Sequence, residues 1–217
     1  MHYTIKNLNK ITSELKQLSY RANLPNIIAV SKTFPIENIL PLIQNNHIHF
    51  GENKIQEALT KWTSVKAEYP QLKLHMLGKL QTNKVKFLLP LFDYLHSLDS
   101  YKLAEKISKM QIALNKKPKI FIQVNFENEI QKVGINFNEV DSFLDKCVND
   151  LNLDIVGLMC LPPKSKHPSK YFYKLKKLCN ELKLKELSMG MSNDYPEAYE
   201  IGSTFLRIGS SIFGKRD

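Results

Sequence analysis

The sequence has no apolar run near the about eighteen residues that a membrane-spanning helix needs. The stretch Phe87-Leu88-Leu89-Pro90-Leu91-Phe92 is short and broken by proline. The amino terminus, Met1-His2-Tyr3-Thr4-Ile5-Lys6, lacks the apolar core of a secretion signal, so a cytoplasmic location is expected. Cysteine is sparse: Cys147, Cys160 and Cys179 are irregularly spaced and form no Cys-x-x-Cys. That pattern argues for reduced thiols rather than a disulfide framework, and against a metal centre. His47 and His49 lie two apart on a predicted strand and would share a face, but no further ligand cluster accompanies them, so no metal is expected.

Arginine is equally scarce, with only Arg21, Arg207 and Arg216, so the net charge of +10 comes from lysine. Such an excess raises the question of nucleic acid. The lysine-dense segment Lys164 to Lys185, however, keeps Phe172, Leu175, Leu178 and Leu182 at helical spacing beneath it, the pattern of a solvated helix face. Specific nucleic-acid binding is therefore not expected. The first strand-to-helix turn has no Gly-x-Gly-x-x-Gly, which counts against the dinucleotide-binding form of an open doubly wound sheet.

What is present is a regular alternation. An amphipathic helix is predicted over 3–21 from Ile5, Leu8, Ile11, Leu15 and Leu18. Eight apolar runs follow at 27–33, 47–53, 73–78, 94–98, 120–125, 155–160, 186–192 and 204–209, each separated from the next by a helical segment. A loop with Lys132-Val133-Gly134 precedes a helix across Val140, Phe143, Leu144 and Val148. Asp99 or Ser100 is placed to cap the helix containing Leu103, Ala104 and Ile107, and Asp194 with Pro196 opens another. Eight such units predict a single parallel (β/α)8 TIM barrel with an extra amino-terminal helix, filling residues 1–217 as one domain. The runner-up is an open doubly wound sheet.

A barrel builds its site at the carboxyl ends of its strands. Those ends carry Lys32, Glu52 with Asn53, His75 to Gly78, Asp99, Asn125, Met159, Ser192, and Arg207 with Gly209 and Ser210. Ile27-Ile28-Ala29-Val30 runs straight into Ser31-Lys32-Thr33, so Lys32 stands where apolar walls give way to a pocket. Desolvation there disfavours the charged amine and makes it available to a carbonyl compound as a Schiff-base nucleophile. Ser192 and Gly209-Ser210 sit on the two last loops, the usual phosphate position of such barrels. Arg207 lies within a strand, and its guanidinium is expected to point into the barrel mouth.

These motifs resemble the YggS/PROSC family of pyridoxal phosphate homeostasis proteins, which share a fold with the amino-terminal barrel of alanine racemase. The matching stretches are Ala29-Val30-Ser31-Lys32-Thr33, Phe50-Gly51-Glu52-Asn53 with Gln56-Glu57, and His75-Met76-Leu77-Gly78-Lys79-Leu80-Gln81-Thr82-Asn83-Lys84. They continue through Lys132-Val133-Gly134-Ile135, Gly157-Leu158-Met159, Ser188-Met189-Gly190-Met191-Ser192, and Arg207-Ile208-Gly209-Ser210 to Ile212-Phe213-Gly214. Leu74 stands where the family often has tryptophan, and Cys160-Leu161 replaces a more usual pair; neither touches the cofactor chemistry.

The resemblance implies that Lys32 carries pyridoxal phosphate as a Schiff base. It implies that Ser192, Gly209 and Ser210 hold the phosphate, that Met191 also belongs to the cofactor site, that Arg207 faces the pyridine nitrogen, and that Asn53 lines the ring pocket. An arginine there keeps the ring nitrogen unprotonated and weakens it as an electron sink. A racemase needs a second base from a further domain, and the chain ends directly after the eighth strand, so that domain is expected to be absent. A non-catalytic carrier or buffer of the cofactor is the implied role, with apo-enzymes as receivers and a monomer as the expected state. The alternative is a weak amino-acid racemase using Lys32 as base.

Overall fold

A computed structural model describes residues 1–18, 23–126, 133–163 and 167–215. The predicted tail of the first helix with Arg21, and also Lys132, Lys164 and Arg216, lie outside the described residues. The chain opens with α1 (Tyr3–Leu18), β1 (Asn26–Val30), α2 (Ile36–Gln44), β2 (His49–Glu52), α3 (Ile55–Glu68), β3 (Lys73–Met76) and α4 (Val85–Leu91). It continues through β4 (Tyr94–Leu98), α5 (Tyr101–Leu114), β5 (Lys119–Asn125), β6 (Ile135–Asn136), α6 (Val140–Asp145) and β7 (Asp154–Cys160). The last units are α7 (Ser169–Glu181), β8 (Glu186–Ser188), α8 (Tyr195–Ile201), β9 (Phe205–Ile208) and α9 (Ser210–Phe213).

All pairings are parallel, in the order β1-β2-β3-β4-β5-β7-β8-β9, and β1 pairs β9 to close the ring. The predicted eight-stranded barrel is therefore present. Its strands read as continuous apolar runs because both faces are buried, one against the helices and one inside the ring. The two faces form separate clusters. Phe50, Trp62, Leu74, Phe172, Leu175 and their neighbours fill the space between wall and helices. Ile28, Val30, Phe121, Met159 and Phe205 fill the lumen.

Several boundaries differ from the sequence expectation: β2, β3 and β9 are trimmed at their ends, and three differences have a visible cause. β1 and β8 stop at Val30 and Ser188 because the next residues turn away: Thr33 has φ 70° and Gly190 φ 89°. A Cβ on Gly190 would also come within 2.6 Å of Ala198. Residues 135–136 form the short strand β6 beside the end of β5, where a loop was expected. The helix after it passes into a π turn at Lys146–Asp150, which buries Cys147 and leaves Val148 43% exposed, the reverse of the even helical spacing.

α1 buries Leu8, Ile11 and Leu15, and it is tied to the last turn of the chain. The Asn7 side-chain amide donates to the Ile212 carbonyl at 2.9 Å, and the Tyr3 hydroxyl to that of Phe213 at 3.4 Å. Ser100 is the residue that caps α5, accepting the Leu103 N–H. The three thiols are all buried. Burial pushes Cys147 and Cys160 up to about 12 and Cys179 to about 11. Among the described residues no helix is long and apolar enough to cross a membrane.

Candidate functional site

Lys32 sits half-buried on the turn that leaves β1, and the backbone on both sides of it is clamped. The Ser31 hydroxyl donates to Glu52 Oε1 at 2.8 Å. Lys61, reaching in from α3, donates to the Ser31 carbonyl, to Glu52 Oε1 and to Glu57 Oε1, each at 2.9 Å. Glu57 Oε1 accepts the Thr33 N–H at 2.5 Å, and the Trp62 indole donates to Glu52 Oε1 at 3.0 Å. Burial works to raise the Glu57 pKa, but the Lys61 ammonium and the Thr33 N–H outweigh it and hold the carboxyl below its ordinary value. Asn53 follows β2 and is half-buried. Its carbonyl lies so near Gly78 that a Cβ there would be 2.3 Å from the oxygen, so the β2 and β3 ends are drawn together.

On the other side of β1 the two last loops meet. The Met191 N–H donates to Asp194 Oδ1 at 2.6 Å, which shapes the turn before α8 and leaves the Met191 side chain exposed. Ser192 accepts the Ser211 N–H on its hydroxyl at 3.3 Å, and the Ser211 hydroxyl donates to the Ser192 carbonyl at 3.4 Å. Ser210, the serine singled out from sequence, is exposed at the start of α9. Ser211, one residue on, is the one that joins the loops. Gly209 has an ordinary negative φ of −111°, and a Cβ on it would meet only Val30, no closer than 3.4 Å. Nothing in the chain itself requires glycine at 209. The missing side chain leaves open a small cradle between the ends of β1 and β9.

Arg207 is only 5% exposed and points into the lumen. Nη1 donates to Ser188 Oγ at 2.6 Å and Nη2 to the Cys160 carbonyl at 2.8 Å. Burial lowers its pKa, while Cys160 and Asp194 nearby pull the other way. Among the described residues no carboxylate lies within salt-bridge distance of it. The barrel thus holds a buried cation with no direct counter-ion, which suits an anionic ligand at its mouth.

Three histidines share the lumen: His49, set beside His47 in the sequence, His75 from the end of β3, and His96. His75 and His96 are fully buried and His49 partly so. Desolvation holds His49 at about 4 and holds His75 and His96 well below the ordinary value. Their nitrogens face one another in pairs instead of converging, and among the described residues no set of side chains is arranged to hold a metal ion. His47 does not share the face of His49. It precedes β2, donates from Nε2 to the His49 carbonyl and packs its ring on Phe50. A cleft of about 700 Å³ opens over the carboxyl ends of β3 and β4, lined by Lys79, Gln81, Thr82, Asn83, Asp99 and Ser100 among others.

With a lysine clamped at one strand end, a buried arginine in the wall and serine loops beside it, the molecule is a ligand-binding (β/α)8 barrel of the kind that gathers its polar groups at the carboxyl mouth. More narrowly, the chain belongs to the family "Alanine racemase, N-terminal domain", whose profile matches residues 6–217. It is 34% identical to a pyridoxal phosphate homeostasis protein of Aquifex aeolicus, covering 96% of both chains. It is 35% identical to one of Vibrio cholerae, over 98% of this chain and 96% of that one. The structure of PipY from Synechococcus elongatus, solved with pyridoxal phosphate (PLP) bound, superposes with a TM-score of 0.86 at 31% identity over 97% of this chain and all of that one.

Proposed function

We propose that this chain binds pyridoxal phosphate at the carboxyl mouth of its barrel and serves intracellular cofactor balance as a carrier or buffer, not as a catalyst. The observation that carries the reading is Arg207: a buried guanidinium without a carboxylate partner, held at the mouth beside an open glycine cradle. The phosphate and the ring phenolate would bring net negative charge into the same mouth, while Arg207 itself would meet the ring nitrogen. Ser192, Gly209 and Ser210 would hold the phosphate with hydroxyl and backbone N–H groups, with Met191 on the same loop. Asn53 would line the ring pocket, and Arg207 would donate to the ring nitrogen.

The bound group supplies an aldehyde, which condenses reversibly with an amine. Lys32 is the amine in position, and the Lys61–Glu57 clamp fixes the turn from which it reaches. Arg207 cannot accept a proton at working pH, so it holds the ring nitrogen as an acceptor and limits carbanion chemistry. That supports carrying over catalysis. The naming of the relatives in Aquifex and Vibrio as homeostasis proteins supports the same role.

The test is a spectrum followed by a transfer assay. Added pyridoxal phosphate should give a visible Schiff-base band that borohydride fixes to the protein, and Lys32→Ala should show neither. The loaded protein should then reactivate an apo-enzyme faster than free cofactor does. Reactivation no faster than with free cofactor removes the carrier role. Solvent deuterium entering the α-position of an amino acid, and lost in Lys32→Ala, would establish the racemase alternative instead.

A further inference from the structure

A single line of hydrogen bonds runs down the lumen from Arg207. Nη1 reaches Ser188 Oγ at 2.6 Å, and Ser188 Oγ lies 2.8 Å from His96 Nδ1. His96 Nε2 lies 2.9 Å from His75 Nδ1, and His75 Nε2 lies 2.9 Å from His49 Nδ1. The line crosses β9, β8, β4, β3 and β2 and ends at the amino-terminal rim, where Lys73 and Asp93 lie near His49.

Its direction follows from one fact: a guanidinium has five donors and no acceptor. At Ser188 it must donate. Ser188 is fully buried, and its oxygen has two partners among the described residues, Arg207 and His96. Were His96 Nδ1 to donate as well, the buried hydroxyl proton would have no acceptor among the described residues, so the arrangement that satisfies every group sends it to His96 Nδ1. A neutral imidazole that accepts at Nδ1 carries its proton on Nε2, so His96 donates to His75, and by the same step His75 donates to His49. Burial keeps the rings neutral, since a charged imidazole would put a proton on each accepting nitrogen and break the line. Each donor also makes the preceding acceptor stronger, so Ser188 binds Arg207 better than an isolated hydroxyl would.

We propose that His96, His75 and His49, all as Nε2–H tautomers, form a one-way relay that positions the Arg207 guanidinium and directs hydrogen bonding away from the cofactor. The inference rests on the reading above, in which Arg207 meets the ring nitrogen. Delivering a proton to that nitrogen through the lumen would require every link to reverse, and the last step would pass through a residue that cannot accept. Arg207 by itself would keep the ring nitrogen an acceptor; the relay's part is to hold the guanidinium that does so in place. The same rings also stack, His75 on Tyr94 and His96 on Phe121, each with centroids 4.3 Å apart, so plain packing is the competing account.

The two accounts separate in two measurements. In the cofactor-free protein labelled with ¹⁵N-histidine, long-range proton–nitrogen spectra at neutral pH should show a protonated Nε2 and a bare Nδ1 on His49, His75 and His96. An Nδ1–H signal on His96 or His75 overturns the relay, whatever the cofactor does. Next, pyridoxal phosphate is titrated into the parent, His96→Gln and His96→Leu. Glutamine can accept from Ser188 and donate to His75, whereas leucine can do neither. His96→Leu should bind about tenfold more weakly, and His96→Gln should recover most of that loss. Equal binding by all three overturns the positioning role. Should His96→Leu not fold, Ser188→Ala breaks the same link with a smaller change and is expected to show the same weakening. A parent protein that binds no pyridoxal phosphate would sink the proposed function, while the tautomer spectra would still decide the relay.

Discussion

Outside the barrel wall, Phe172, Leu175 and Leu74 are buried among other apolar side chains of the wall and the helix ring. One strand thickness away, His75, His96, Ser188 and Arg207 are just as deeply buried, yet each is held by hydrogen bonds. The outer layer draws its stability from area, about 1.5–3 kcal/mol for each large apolar side chain fully removed from water. The lumen spends much of its volume on groups that resist burial and must be satisfied one by one. Stability is concentrated in the shell, and chemistry in the centre.

That division can be broken at either side. The largest effect is expected in the shell: Phe172→Ala should cost about 4 kcal/mol, read from the urea midpoint, because it opens a cavity where α7 meets the wall. Next comes acid. His47 and His49 sit at about 4 in the folded protein, with His75 and His96 also lowered, against an ordinary 6.5. Below about pH 6.5 the unfolded chain takes up protons that the folded one refuses. Stability should therefore be full above that pH and be lost as pH falls toward 4, with a slope of up to about 1.4 kcal/mol per pH unit for each histidine. Midpoints measured between pH 7 and pH 5 check this, and His75→Phe should flatten the curve. The smallest effect on stability is expected at Arg207. Arg207→Met removes a buried cation that has no salt-bridge partner and should leave the unfolding free energy within about 1 kcal/mol of the parent. It should nonetheless abolish pyridoxal phosphate binding. Unfolding of Arg207→Met would show that the lumen carries stability after all.

The barrel was legible in the sequence because its strands are wrapped on both sides. Ile27 to Val30 and Ile120 to Val124 are near-continuous apolar runs that no half-exposed strand would have. The polar positions stood out for a different reason: Lys32 and Ser192 follow apolar stretches, and Arg207 is a lone cation inside one. The relay was not legible. His49, His75 and His96 are lone histidines on separate strands, 26 and 21 residues apart, and only the closure and register of the barrel bring their rings to 2.9 Å. Lys61 was hidden likewise, since its place on α3 says nothing of the turn it clamps. Val148 misled for a local reason, a π turn that breaks the 3.6-residue period.

The thiols bear on the proposed cargo. An aldehyde can add a thiolate as well as an amine, so a protein storing one would have to govern which of its own nucleophiles can answer. Cys160, whose carbonyl binds Arg207, is held at about 12 by burial even though the neighbouring guanidinium pulls the other way, with Cys147 also at about 12 and Cys179 at about 11. At neutral pH about one such thiol in ten thousand or fewer is ionised. Under the proposed function, sulfur kept protonated in the dry layers of the fold would leave the aldehyde to an amine at the rim.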